Sequence, residues 1–136
     1  MSKSNTSENA TLDCLLRGVD PSFRANANRY IALHVGDPWE AGTAITNEAT
    51  YGGYARVAVT ASTGFSAASG GSSSNTAQIT FAECTSGSNT VDYCSIVDTA
   101  SGAGTIIYSG ALTASRTISS GITPFFAISA LTVTED

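Results

Sequence analysis

The chain has 136 residues, a formal net charge of −5 and 12% charged residues, about half the usual share of a soluble domain. This length allows one domain and excludes a large two-domain enzyme. The balance of 6 basic and 11 acidic residues argues against nucleic acid as a partner, because phosphate binding requires a basic stripe. Small hydroxyl residues, 19 Ser and 18 Thr, replace the missing charges, and such a surface is suited to packing against other proteins.

The first predicted element is a short helix at about residues 10–18. Residues 1–9 are polar and are assigned to an arm that could lie along a neighbouring subunit. Apolar residues then recur at helical spacing, with Ser7 and Asn9 as candidate caps before them and Gly18 after them. The apolar stripe consists of Leu12, Leu15, Leu16 and Val19. We expect this helix to pack across one end or one open edge of the strands that follow.

From residue 29 onward apolar residues occur at every second position, and this pattern predicts strands and no second layer of helices. Turns rich in glycine and serine separate short, fairly evenly spaced runs. The pattern predicts an all-β fold, an antiparallel β-sandwich or jelly roll of seven to eight strands, in a single domain over residues 10–136. The predicted strands are residues 29–35, 54–61, 76–82, 91–98, 105–112, 116–118 and 124–134, with residues 64–68 as a candidate eighth.

Three cysteines, Cys14, Cys84 and Cys94, lack the paired spacing and the histidine companions of a zinc site, so we expect no metal. Cys84 and Cys94 bracket a short Ser/Gly segment and could form a disulfide across a hairpin, although a reducing cytosol favours two thiols. Cys14 lies on the side of the helix opposite the leucines. We therefore expect Cys14 to be the thiol that faces solvent or a neighbouring subunit.

Few residues are candidates for catalysis. His34, the single histidine, lies on a predicted strand, and we expect it to be structural because serines are abundant enough to be chance neighbours. Asp37 and Glu40 flank Trp39 and could act on a glycoside, but a turn that begins at Asp37 explains the same residues. We predict that the protein is not an enzyme and has no cofactor.

Aromatic residues in loops are candidate interface residues. Trp39 lies in the acidic turn, and Tyr51 and Tyr54 surround a glycine pair. Exposed tyrosines are suited to an interface because they bring a large area at little entropic cost. An equally good explanation is that Tyr51 and Tyr54 close the end of the core.

Two strands carry adjacent large apolar residues. Phe125 and Phe126 must point to opposite faces of a strand, so one of them leaves its own core, and Ile106 and Ile107 repeat this arrangement. We add Phe125 and Phe126 to the candidate interface. Apolar residues on both faces of two strands favour a homo-oligomer, and a trimer is the form we expect.

Six segments occur in an order that resembles a family of small tailed-bacteriophage virion proteins, often labelled tail-fibre proteins. The segments are ATLDCLL (10–16), YIALHVGDP (30–38), GGYAR (52–56), SNTAQITF (74–81), YSGALT (108–113) and ALTV (130–133). The resemblance runs from about residue 10 to residue 134. It implies a β-rich structural protein of the virus particle, without catalysis, that assembles in the host cytoplasm.

The leading prediction for function is a capsid decoration or cement protein that binds the major capsid protein on the outer surface of the particle. The chain shows no repeat or heptad pattern that would give a fibre its length. The alternative is a tail-fibre, tail-tip or adaptor protein that contacts the host surface or a longer fibre through Trp39, Tyr51 and Tyr54. A third hypothesis is a sugar-cleaving enzyme that uses Asp37 and Glu40. A membrane is not an expected partner, because no apolar stretch reaches the roughly 18 residues of a span.

Overall fold

The structure is a computed structural model that describes residues 1–135. Its elements in chain order are β1 (Ser2–Lys3), α1 (Asn5–Arg17), a 3₁₀ turn (Ser22–Ala25), β2 (Asn28–His34), β3 (Val57–Thr60), β4 (Ser72–Ser74), β5 (Ile79–Thr80), β6 (Ser88–Val97), β7 (Ile106–Ser119), β8 (Phe125–Phe126) and β9 (Thr132–Thr134).

A five-stranded antiparallel sheet forms the centre of the fold, with the strand order β1-β7-β6-β2-β3. Two further pairs of strands, β4-β9 and β5-β8, form short antiparallel ribbons. The longest pairing joins β6 to β7, from Ser88 opposite Ser119 to Val97 opposite Ile106. The predicted all-β antiparallel fold class with one short N-terminal helix is confirmed.

The main hydrophobic core lies between one face of the sheet and the short ribbons. The sheet contributes Ile31 and Leu33, which alternate along β2 as the period of two predicts. The ribbons and their flanks contribute Ile79, Phe81 and Leu131. A smaller cluster of buried residues on β6, β7 and the loop after β2 covers part of the opposite face, and its members are Ala44, Val97 and Ile106. The sheet is therefore covered on both faces within one chain.

The N-terminal residues belong to the domain and do not form a separate arm. Residues 2–3 pair with Tyr108 and Ser109 at the edge of the sheet, and Lys3 forms an ion pair with Glu135 (Nζ–Oε1, 2.7 Å). The helix begins at Asn5, five residues earlier than predicted, because Ser4 is the N-cap and accepts the Ser7 N–H at 3.2 Å. Gly18 ends the helix, as predicted, with a left-handed φ of 69°.

Three strand predictions differ from the structure. The predicted strands 105–112 and 116–118 are one strand, β7, whose register shifts where β6 residues 91–93 face β7 residues 111–116. Residues 64–68 make a single bridge, between Phe65 and Asn75, and no strand. The predicted strand 124–134 is divided into β8 and β9. The break occurs at Ser129, which has a left-handed φ of 62°.

Asn75 explains why the chain bends between β8 and β9. Its side-chain amide donates hydrogen bonds to the carbonyl oxygens of Ala77 (2.7 Å) and Ala127 (2.8 Å), and its Oδ1 accepts the Leu131 N–H at 2.8 Å. Its own backbone N–H and carbonyl bind Leu131 and Ser129. Asn75 is buried, so this one side chain satisfies polar groups that a continuous strand would have paired with a neighbour.

Candidate functional site

Trp39 is the predicted interface residue that the structure places most openly at the surface, with 63% of its area exposed. It lies in a tight turn after β2. Asp37 Oδ1 accepts the Trp39 N–H at 2.8 Å, and the Trp39 carbonyl accepts the Gly42 N–H at 3.1 Å. The backbone of Trp39 has a φ of 54°, a left-handed conformation that bulky residues rarely adopt. The turn therefore holds a large side chain in solvent at a conformational cost.

The turn is fixed to the rest of the domain at several points. The Asn47 side-chain amide donates to the Asp37 carbonyl at 2.8 Å, and the Asn5 N–H donates to the Glu40 carbonyl at 2.9 Å. A side chain at Gly42 would place its Cβ 1.7 Å from the Pro38 carbonyl oxygen, so glycine is required there. Helix α1 and the loop after β2 are thus joined through backbone contacts beside Trp39.

A cleft of about 620 Å³ opens beside this turn. The sequence analysis grouped Asp37, Trp39 and Glu40 by their spacing, and the structure brings all three to the cleft. Sequence spacing does not indicate the other lining residues, among which Asn5, Tyr93 and Ser109 come from α1, β6 and β7. One oxygen of Asp37 is occupied by the turn itself, as the turn interpretation predicts.

Tyr51 and Tyr54 close the end of the core, which is the alternative to an interface considered above. Tyr51 is buried, and its hydroxyl donates to the Ala82 carbonyl at 3.1 Å. The Tyr54 hydroxyl accepts the Leu33 N–H at 3.1 Å and donates to Glu48 Oε1 at 3.0 Å. Burial raises the pKa of both tyrosines. Tyr51 is thus buried and Tyr54 half-buried, so neither is the fully exposed loop tyrosine that we expected at an interface.

Glu48 and Arg56 form a buried ion pair that the sequence analysis did not recognise. Arg56 Nε and Nη2 donate to the two carboxylate oxygens of Glu48 at 2.6 and 2.8 Å. The remaining donors of the guanidinium bind Thr99 Oγ1 and the carbonyls of Thr99 and Gly102. All five N–H groups are therefore satisfied, as a buried arginine requires. Glu48 and Arg56 lie in the loop between β2 and β3, and Thr99 and Gly102 lie in the loop between β6 and β7, so no sequence spacing indicates the whole network.

His34 is fully buried beside Ser95, at a distance of 2.7 Å between Nε2 and Oγ. Its Nδ1–H donates a hydrogen bond to the Thr46 carbonyl at 2.8 Å. In the neutral ring Nε2 therefore accepts the hydrogen bond that the Ser95 hydroxyl donates. Burial lowers the pKa of His34. A serine and a histidine in this arrangement would suggest an activated nucleophile, but a substrate cannot reach either of them. The third partner is a backbone carbonyl and not a carboxylate.

The two pairs of adjacent apolar residues, on β8 and at the start of β7, differ in how far they are buried. Phe126 packs against Phe81 with ring centroids 6.2 Å apart, whereas Phe125 is 59% exposed, so the pair does point to opposite faces. Ile106 and Ile107 are both buried within the chain. Ile106 enters the smaller cluster, and Ile107 falls at a register shift of β7. This second pair therefore needs no partner subunit, in contrast to our expectation.

All three cysteines are free thiols, and the structure has no disulfide between Cys84 and Cys94. Cys84 is buried, and its thiol donates to the Ser86 carbonyl at 3.3 Å. Cys94 pairs with Leu33 in the sheet and lies in the main core, where burial raises its pKa to about 12. Cys14 is half-buried and is the most exposed of the three.

The leucine stripe of α1 faces solvent, although the helix itself packs at the β1–β7 edge of the sheet, which agrees with the expected position at an open edge. Its four side chains, Leu12, Leu15, Leu16 and Val19, are between 48% and 79% exposed. The helix instead contacts β7 through its polar side, where the Ser4 hydroxyl donates to the Ile106 carbonyl and Ser7 is buried. The Ser4 cap orients the helix in this way, and hydrophobic periodicity alone does not reveal which face is covered.

Residues 1–135 contain no group of three or more His, Cys, Asp or Glu side chains that could hold a metal ion. Over the same residues, none of the helical segments has the length and apolar character needed to cross a membrane.

These observations describe a β-rich structural protein with exposed apolar surfaces. The model of the family described as podophage GP4 fiber I protein gp80 matches residues 2–134. The chain belongs to this family, and the resemblance to phage tail-fibre proteins is confirmed. No curated protein matches the chain. The protein is accordingly a structural component of the phage virion.

We expect Arg56→Lys to lower the free energy of unfolding by roughly 3 kcal/mol, because lysine retains the charge but has three donors on a single nitrogen for the five hydrogen bonds that Arg56 makes to Glu48, Thr99 and Gly102. Denaturation with urea measures the change. Arg17→Lys is the matched control, since Arg17 forms an exposed ion pair with Asp13, and it should shift stability by about 0.5 kcal/mol or less. Equal effects of the two substitutions would contradict the importance of the buried network.

We expect stability to fall as the pH drops below about 6.5, the pKa of an unperturbed histidine. The folded state keeps His34 neutral, so the unfolded state binds the proton first and is favoured in acid, whereas above this pH the effect is absent. Urea denaturation between pH 8 and pH 5 measures the trend. Because the chain has one histidine, NMR titration of its imidazole signals is unambiguous. A pKa at or above 6.5 in the folded protein would refute this prediction.

Proposed function

We propose that the protein is a subunit of a phage tail fibre, held in the virion by apolar contacts with copies of itself and with other virion proteins. The observation that carries this proposal is the family match, which extends over nearly the whole chain and names a fiber protein. The match favours a fibre over capsid decoration. Capsid decoration is the leading prediction from the sequence alone. Fibre subunits act by binding and positioning, and the buried His34–Ser95 pair agrees with a role that is not catalytic.

The leucine stripe of α1 is the first surface that supports assembly. Fully burying one aliphatic side chain contributes about 1.5–3 kcal/mol, so covering these four partly exposed side chains would contribute several kcal/mol per subunit. Leu12, Leu15 and Leu16 lie three and four residues apart on one face of α1, and Val19 follows the Gly18 cap directly after the helix. In a symmetric homo-oligomer the same stripe from each copy meets near the axis, and a trimer is the form we favour.

A second surface lies around Phe125. It includes a groove of about 540 Å³ between β7 residues 111–116 and residues 124–132, and Ile128 is also exposed in this segment. Exposed aromatic and aliphatic side chains beside a groove are typical of protein interfaces. This surface is separate in sequence from α1, so it could bind a different virion protein while α1 joins identical copies. The major capsid protein is the alternative partner if the protein decorates the head.

Counting the copies in purified particles distinguishes the two locations. We expect a small number, set by the symmetry of the tail, when the protein is quantified by mass spectrometry against the major capsid protein. Hundreds of copies per particle would instead support capsid decoration and overturn the fibre assignment.

The double substitution Leu15→Gln and Leu16→Gln should convert the oligomer to monomers without loss of secondary structure, because both side chains are exposed. Analytical ultracentrifugation measures the mass, and circular dichroism measures the fold. Thr6→Gln, an exposed polar position on the same helix, is the control and should leave the mass unchanged. A monomeric natural protein, or an oligomer that survives the double substitution, would contradict assembly through the stripe.

A further inference from the structure

The cleft beside Trp39 adjoins the groove beside Phe125, with which it shares Met1 and Gly110, but its Trp39 turn belongs to neither assembly surface proposed above. Its volume of about 620 Å³ falls within the roughly 300–1,000 Å³ of small-molecule sites. Aromatic groups (Trp39 and Tyr93) and hydrogen-bonding groups (Asp37, Glu40, Asn5 and Ser109) occur together in its lining. This mixture matches a ligand that has both an apolar face and several hydroxyl groups.

Trp39 is better explained by a ligand than by stability. Its φ of 54° would be met with less strain by glycine or asparagine, and its exposed indole gains little from burial in its own domain. The turn around it is nevertheless fixed by Asp37, Asn47 and Asn5. A strained residue kept in a rigid turn and directed to solvent is a common feature of binding sites.

The polar residues define the chemistry of the ligand. Carboxylate oxygens accept hydrogen bonds from hydroxyl groups, and the flat face of an indole packs against the C–H face of a sugar ring. Among the described residues that line the cleft, the carboxylates of Asp37 and Glu40 outnumber the single α-amino group of Met1, so the lining is net negative and disfavours an acidic ligand. We propose that this cleft binds a neutral saccharide, with Trp39 as the stacking platform and the two carboxylates as hydrogen-bond acceptors.

This binding site goes beyond the structural role, and the two proposals can fail separately. A subunit that assembles through α1 can lack a saccharide site, and a monomer can possess one. The experiments below therefore measure binding to the protein in solution and record its oligomeric mass in the same samples.

The single tryptophan of the chain makes the first experiment direct, because indole fluorescence reports on this cleft alone. The natural protein is titrated with maltose, lactose and N,N′-diacetylchitobiose, and with 3′-sialyllactose as the acidic counterpart of lactose. We expect a saturable change in emission with at least one neutral sugar and none with the acidic sugar. The absence of a saturable change with all three neutral sugars would overturn the proposal.

Substitutions then test the residues by calorimetry. Trp39→Gly should weaken binding roughly tenfold or more while keeping a melting temperature no lower than that of Trp39→Ala, because glycine fits the left-handed backbone. Trp39→Phe should bind with intermediate affinity. Glu40→Gln should keep its affinity for neutral sugars and should bind 3′-sialyllactose more tightly than the natural protein does. Ile45→Ala, at an exposed apolar position elsewhere, should bind as the natural protein does.

Two results would refute the assignment of Trp39. One is a Trp39→Gly variant that is folded and binds the sugar with unchanged affinity. The other is a Trp39→Gly variant that loses its oligomeric mass while no sugar binds the natural protein, since Trp39 would then be a contact between proteins.

Discussion

The guanidinium of Arg56 is the contact on which the loops at one end of the sheet depend. It joins Glu48, in the loop between β2 and β3, to residues 99 and 102, in the loop between β6 and β7. Through Glu48 it also positions the Tyr54 hydroxyl, which accepts the Leu33 N–H where β3 no longer pairs with β2. Side-chain hydrogen bonds thus replace the backbone hydrogen bonds between β2 and β3 beyond the point where their pairing ends. In a chain with so few charges, one buried ion pair replaces several backbone hydrogen bonds.

The Glu48–Arg56 ion pair also stabilises the loop that carries the Trp39 turn. The loop after β2 is fixed by the Val35 N–H bond to the Asn47 carbonyl and by the Ala49 N–H bond to the Leu33 carbonyl. His34 lies beneath the loop and binds the Thr46 carbonyl. Because Glu48 belongs to the same loop, loss of the ion pair would loosen the cover over His34 and the base of the turn. The core of the domain and its exposed surface are therefore linked by a short chain of polar contacts.

The sequence predicted the features that depend on local pattern. Period-two apolar residues indicated the strands β2, β3, β6 and β7 of the central sheet but not the short strands β1 and β4, and the spacing of Asp37, Trp39 and Glu40 indicated three of the ten residues that line the cleft. Features that depend on distant partners were not predictable. No local pattern indicates that the side-chain amide of Asn75 separates β8 from β9 through hydrogen bonds to residues 127 and 131. The leucine stripe was recognised, but its orientation is decided by the Ser4 cap and by a carbonyl on β7.

The different burial of the three thiols has a practical consequence for labelling. Cys94 is held protonated by its raised pKa and is enclosed in the core, and Cys84 is buried as well, so both are protected from alkylating reagents. Cys14 lies on α1, on the side away from the leucine stripe. A maleimide dye would therefore attach to the natural chain at one defined position. A dye at that position could then report changes around α1 without engineered cysteines.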